Sequence, residues 1–311
     1  MNTWMFLITA LFSQDDFLVK QGDVTVPLAD LDAYVYLLGE HKRPGFADQP
    51  TQIEQNIFTL LNVNIVYQHI IENGLNDEPE FEAVLAEIEN REYDLEDGFF
   101  EALELNQEAA LESIRMYLIK TRFYRTMLQY LDDSITAEQV EPLAKEHYLI
   151  NKKNFVVPEK RDLSVIMLEQ NVDVDQVLKS LSQADQEAFQ SVASDVSVDP
   201  SKELNQGHWG KFRLVDFNYP FTQTVFNAPV GVIPQVLTDS NHAYIIRVNE
   251  VQKSRQQSFD EVKDKLVEQV RKNVVGKKFQ TIINAQGRKE LEVNPELTAH
   301  VFERYKVFNS D

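Results

Sequence analysis

Two amphipathic helical stripes stand far apart in this chain, on either side of a segment with a different pattern. Ile53, Ile57, Leu60, Leu61, Ile65 and Ile70 recur at spacings of three and four, the period of one buried helix face. Val262, Leu266, Val270 and Val274 repeat that spacing near the C-terminus, behind an N-cap at Ser258. Neither stripe can bury its apolar face alone. The predicted arrangement is one helical domain assembled from both ends of the chain, holding an apolar groove, with residues 162 to 250 inserted as a mixed α and β body.

Local signals fill in the rest. Apolar alternation from Leu18 to Leu31, around Gln21-Gly22-Asp23, predicts two short strands turning at Gly22 and a helix opening near Pro27. Asn73-Gly74 stops the first long helix. Leu111, Ile114, Tyr117, Leu118, Phe123 and Met127 mark another, and Ser134 or Thr136 caps a third by pairing with the acidic group that follows. Inside the inserted body, Leu163–Leu168 and Ala243–Val248 read as strands, while Val174–Leu181 and Ala184–Val192 read as helices. The run Glu290-Leu291-Glu292-Val293 alternates like a strand.

With 311 residues, 43% of them apolar and 10% aromatic, the chain has enough core for two globular domains. A net charge of −20 argues against a nucleic-acid partner, because nothing would neutralise phosphates. Much of that charge lies between Asp77 and Glu104, where twelve acidic residues face one base, Arg91, and read as a solvated helix face. The absence of cysteine excludes zinc fingers, thiolate nucleophiles and disulfides. The apolar run Trp4 to Phe12 is too short to span a bilayer but has the length of a secretory h-region. Residues 1–15 are read as a signal or hydrophobic segment, which implies a periplasmic or other extracytoplasmic location and offers a point of membrane association.

The inserted body carries the most specific pattern. Ser197-Val198-Asp199 precedes Gly207-His208-Trp209-Gly210-Lys211-Phe212, then Tyr219-Pro220-Phe221, then Thr238 and the run Tyr244-Ile245-Ile246-Arg247-Val248. This order resembles the parvulin (PpiC-type) peptidyl-prolyl isomerase domain, with its Ser-x-Asp segment, glycine loop, Pro-Glu-Phe helix and closing strand. The segments Val19 to Leu31, Ile135 to Tyr148 and Phe155 to Arg161 resemble the order found in the SurA, PrsA and PpiD group of extracytoplasmic foldases. The resemblance implies an α+β chain: a mainly helical composite chaperone domain plus a parvulin-like α/β domain with a small antiparallel sheet. The implied boundaries are 16–155 for the N-terminal helical domain, 156–252 for the parvulin-like domain, and 253–311 for a helix and strand returning to the first.

Rotation about an X-Pro bond meets a barrier of ~20 kcal/mol, and neither nucleophile nor metal is needed to lower it. An apolar pocket for the proline ring and groups that favour the twisted imide suffice. By resemblance, Asp199, Thr238 and Tyr244 hold the catalytic positions, and Val165, Trp209, Phe212, Phe217 and Phe221 the substrate-binding ones. No cofactor or metal is implied, and the implied partners are unfolded, proline-containing polypeptides. The chain departs from the family at its two histidines, where Val165 and Tyr244 stand. His242 lies two positions from Tyr244 on the same strand face, His208 lies in the glycine loop, and Gln206 replaces the loop's first glycine. Two readings follow: a parvulin-type isomerase and folding chaperone, or a catalytically degenerate parvulin-fold chaperone that only holds peptide. In either case an antiparallel sheet is expected to set Val165 beside Tyr244, with Asp199, Phe217 and Phe221 around one shallow cleft.

Overall fold

Gly22 adopts φ of 63°, the left-handed value that a two-residue hairpin requires. It joins β1 (Phe17–Gln21) to β2 (Val24–Pro27) in a computed structural model that describes residues 17–93, 97–170 and 173–309. The apolar run from Trp4 to Phe12, with the whole of segment 1–15, lies outside the described residues. Helices α1 (Leu28–Leu37), α2 (Pro50–Glu72), α3 (Pro79–Glu89), α4 (Asp97–Ala102), α5 (Gln107–Asp133) and α6 (Ala137–Ile150) follow. The middle of the chain forms β3 (Val156–Val157), β4 (Lys160–Glu169), α7 (Val174–Leu181), α8 (Gln186–Val196), α9 (Lys202–Asn205) and β5 (His208–Arg213). It continues through α10 (Thr222–Asn227), β6 (Gly231–Val232), β7 (Leu237–Thr238), β8 (His242–Gln252) and β9 (Arg255–Gln256). The chain closes with α11 (Phe259–Gly287), β10 (Leu291–Val293) and α12 (Pro295–Arg304). The fold is therefore α+β, mainly helical with small antiparallel sheets. Among the described residues, no helix is long and apolar enough to cross a membrane.

The chain divides into two units, Met1–Pro142 with Val267–Asp311 and Leu143–Leu266. In the first, β1 pairs with both β2 and β10, and Val19 lies opposite Val293. Its core draws Leu18, Leu31, Ile53, Ile65 and Ile114 together with Val301 and Tyr305 from the other end of the chain. Helix α11 meets α5 and the turn after it: Arg271 Nε donates to Asp132 Oδ1 at 2.9 Å, and Tyr124 meets Phe279 edge-on at 5.0 Å. The cap on α6 is an amide, Gln139 Oε1, which accepts from Thr136 N–H at 3.0 Å, rather than the acidic group expected. On α3, Phe81, Val84 and Ile88 are buried while its glutamates face solvent. An apolar cavity of about 630 Å³ opens between α1, α4 and α5, lined by Ala33, Tyr36, Phe99, Phe100, Leu105 and Ile114 among others. Tyr67 is the α2 residue in that lining and α11 contributes none, so the two stripes do not frame it together as their pattern implied.

In the second unit a five-stranded antiparallel sheet runs β5-β4-β8-β6, with β7 also against β8. Strand alternation sends Leu163, Val165, Tyr244 and Ile246 into one core with α10, and Ile166, Leu168 and Ile245 into another under α7 and α8. Val165 pairs with Ile246, and Tyr244 pairs with Met167, so the expected Val165–Tyr244 neighbours are offset by two residues. The β4–β8 register shifts between Asp162 and Leu163. An offset of two leaves both side chains on the same face of the sheet, and the aromatic cluster survives it.

Gly207 shows why a glycine is needed before β5. Its φ is 75°, and a Cβ there would stand 2.6 Å from the Ala193 Cβ and 2.8 Å from the Val165 carbonyl oxygen. Its own carbonyl accepts from Val165 N–H at 2.7 Å. Gly207→Ala is expected to destabilise the second unit by about 2–3 kcal/mol, since backbone strain and a clash with β4 add. Chemical denaturation checks it, and a loss below about 0.5 kcal/mol would show that the loop relaxes freely.

Candidate active site

The Ser197–Asp199 segment is sewn to the C-terminal end of β4. Met167 N–H donates to Ser197 Oγ at 3.1 Å, and Val198 N–H donates to the Met167 carbonyl at 2.7 Å. Asp199 N–H donates to the same Ser197 Oγ at 3.2 Å. Ser197 keeps 2% of its surface and Asp199 keeps 7%. The Asp199 carboxylate is then fully engaged: Oδ1 accepts from Ser201 N–H and Ser201 Oγ, both at 2.8 Å, and Oδ2 accepts from Trp209 Nε1 at 2.6 Å. Burial alone would raise the pKa of this carboxyl, but these three donors outweigh it and hold it below the ordinary carboxylate value. Asp199 is thus a fixed anion that orients the Trp209 indole.

Trp209 opens a continuous aromatic cluster. Phe217 and Phe221, 2% and 6% exposed, meet at 6.2 Å, and Phe221 lies 5.1 Å from Tyr244, itself 3% exposed. Phe212 is half-buried and stands edge-on to Phe217 at 5.4 Å. Tyr219 stacks on Phe221 at 5.2 Å and on Trp209 at 5.5 Å. Behind the cluster, buried Arg161 donates from Nη1 to the carbonyls of Val225 and Ala228, fixing the end of α10 that follows Phe221. Its Nε donates to Glu159 Oε1 at 2.8 Å.

Tyr244 does not leave its hydroxyl free, because the group donates to Asp239 Oδ2 at 2.6 Å. Burial first, and then this bond, push the phenol's pKa up. The Tyr244 bond, with the N–H groups of Asn241 and His242, holds the Asp239 carboxyl below its usual range. At neutral pH the site presents neutral phenols and two fixed carboxylates.

Of the residues singled out from sequence, Asp199, Trp209, Phe212, Phe217, Phe221 and Tyr244 come together here. Val165 is fully buried beneath them and backs the cluster from within the core. Thr238 lies exposed on β7 opposite Ala243, and among the described residues its side chain makes no hydrogen bond; the neighbouring Asp239 reaches Tyr244 instead. The His242 ring stands edge-on to Tyr244 at 6.3 Å. The His208 imidazole turns elsewhere, its Nε2 2.6 Å from Asp162 Oδ1. Sequence reading missed Asp239 and Tyr219. The run Asp239-Ser240-Asn241 is a turn signal that could have exposed the first, and Tyr219 was visible only as the residue before Pro220.

Residues 141–264 match the family described as PPIC-type PPIASE domain. A Foldase protein PrsA of Halalkalibacterium halodurans is 30% identical over 105 residues, 34% of this chain and 30% of that protein. Its namesake in Oceanobacillus iheyensis is 24% identical over 201 residues, 64% of each chain. The chain thus spans less than two thirds of the length of either curated relative. Among solved structures, one from the pair of SurA-like chaperones PEB4 and Cj1289 of Campylobacter jejuni aligns with a TM-score of 0.44. It is 19% identical over 78% of this chain and 82% of that one. Residues 141–264 thus match the PPIC-type PPIASE domain family, within a chain that is similar to the PrsA foldases.

Proposed function

We propose that this protein is a parvulin-type peptidyl-prolyl cis–trans isomerase and folding chaperone acting on proline-containing unfolded polypeptides. The observation that supports the reading is the convergence of Phe217, Phe221, Tyr244 and Trp209 beside the buried anion Asp199, within the segment that matches the PPIase family. The prolyl ring packs against Phe217, Phe221 and Tyr244, and water is excluded from the imide. Because a twisted imide is less polar than a planar one, desolvation favours the transition state over the ground state. Asp199 acts by holding Trp209 and by fixing a negative charge at the edge of the site. Val165 brings no donor or acceptor to the face where the family places a histidine, so turnover rests on the aromatic enclosure and is slower than in histidine-containing parvulins.

In the first unit, the 630 Å³ apolar cavity has the size of a ligand pocket and suits the apolar side chains of an unfolded client. We assign the protein to an extracytoplasmic compartment, a reading supported by the apolar run at Trp4–Phe12 and by the likeness to the PrsA foldases. Residues 1–15 would supply any membrane association. The functional test is a coupled assay on an Ala-Ala-Pro-Phe peptide, in which the full-length protein is expected to accelerate cis-to-trans conversion in proportion to its concentration. Binding of the peptide with no acceleration would favour a peptide-holding module.

A further inference from the structure

Tyr219 touches every ring that a prolyl side chain would need. Besides stacking on Phe221 at 19° and on Trp209 at 30°, it lies 4.8 Å from the ring of Phe217 and 5.9 Å from that of Tyr244. Phe217, Phe221 and Tyr244 are left with 2%, 6% and 3% of their surface. Rings so closed cannot receive a ligand, and one side chain must leave before a proline enters.

The others are tied down. Trp209 Nε1 is bound to Asp199 and the Tyr244 hydroxyl to Asp239, while Phe217 and Phe221 sit in the core. The Tyr219 ring is only half-buried, and among the described residues its hydroxyl makes no hydrogen bond. Its backbone, by contrast, is pinned. Tyr219 N–H donates to Thr222 Oγ1 at 3.1 Å, and its carbonyl accepts from Thr222 N–H at 3.1 Å and Thr222 Oγ1 at 2.7 Å. Pro220 follows with its φ fixed by the ring. The Tyr219 ring can therefore turn about its Cα–Cβ bond while its Cα stays in place.

We infer that Tyr219 is the gate of the prolyl site: its ring covers the face of Phe221 and Tyr244 on which a client's proline packs, and it swings out when the proline binds. The inference rests on the prolyl-site reading above. Apparent affinity is then reduced by the fraction of molecules that are open, and removing the ring lifts that reduction.

The test is a titration of full-length protein with an Ala-Ala-Pro-Phe peptide, followed by tryptophan emission, for wild type, Tyr219→Ala and Tyr219→Phe. Tyr219→Ala is expected to bind about tenfold more tightly, as for a site whose open form is a minor population. Tyr219→Phe, which keeps the ring and loses only the unbonded hydroxyl, is expected to match wild type. If wild type binds and Tyr219→Ala binds equally or more weakly, the gate is wrong and the prolyl site stands. If neither binds, the prolyl-site reading fails and the gate with it. Should Tyr219→Ala melt early, nuclear Overhauser contacts in the wild type decide the matter. Those from Tyr219 to Phe221 and Trp209 are expected to vanish at peptide saturation, and their persistence overturns the gate.

Discussion

Phe221→Ala is expected to weaken binding of prolyl peptides by about thirtyfold or more, the loss expected when a central, desolvated aromatic anchor is truncated at a cost of about 2 kcal/mol or above. Phe221 joins the cluster at its centre, with the rings of Tyr244, Tyr219 and Phe217 at 5.1, 5.2 and 6.2 Å. Removing it takes away the floor under the proline and lets water reach the imide, so catalysed isomerisation is expected to fall with binding. The residue also belongs to the core beside α10, so Phe221→Leu serves as a control: it keeps apolar volume and fold and loses the flat face. Peptide titration checks both, with thermal melts recorded alongside. Asp199→Ala is expected to cost less binding, because its carboxylate reaches the site through Trp209.

The second large effect is on stability and lies in the first unit. Asp32 on α1 accepts from Arg304 Nε and Nη2, both at 2.9 Å, and from the Tyr305 hydroxyl at 2.7 Å. The Asp32 and Arg304 side chains are only 9% and 13% exposed, and Tyr305 is fully buried. Burial, followed by the Asp32 charge and hydrogen bond, pushes the Tyr305 phenol well above its ordinary pKa. Asp32→Ala leaves a buried guanidinium and a buried hydroxyl without their acceptor, a change that costs about 3–5 kcal/mol. The urea midpoint of the unit is expected to fall accordingly, and Asp32→Asn, which retains an acceptor oxygen, to fall less. A loss under about 1 kcal/mol would mean that water replaces the carboxylate.

Much of this architecture could be read from local pattern. The Gly22 hairpin, the α2 stripe, the Ser258 cap and the two central strands of the sheet all carry their signal within a few residues. Ser258 forms a complete capping box, its Oγ accepting from Glu261 N–H at 3.3 Å and its N–H donating to Glu261 Oε2 at 2.8 Å. The alternation at Glu290–Val293 marks a strand, but nothing local marks β1 as its partner at the other end of the chain. Register was harder still. Val165 lies opposite Ile246 rather than Tyr244, and neither that register nor the one-residue shift between Asp162 and Leu163 leaves a mark in the residue pattern.

The site was legible through the order of its motifs, which resembles the parvulin domain, and not through any one residue type. Ser197 and Asp199 stand out as a short polar motif, and the structure gives each a bond that explains it. Phe217, Phe221, Trp209 and Tyr244 are large and apolar at positions that the sheet and α10 bring together. Asp239 and Tyr219 were not legible, because their importance lies in orientation. Asp239 matters because a turn aims it at Tyr244, and Tyr219 because its pinned backbone lays its ring over Phe221.

The aromatic cluster around Phe221 is proposed to bind and turn over X-Pro bonds without a histidine from β4. Magnetisation-exchange spectroscopy on an Ala-Ala-Pro-Phe peptide with catalytic amounts of full-length protein tests that proposal most directly. Exchange between cis and trans proline signals is expected to be faster than in peptide alone and to fall most of the way to the uncatalysed rate with Phe221→Ala. Exchange that is never accelerated, or that survives Phe221→Ala undiminished in a folded protein, would contradict it.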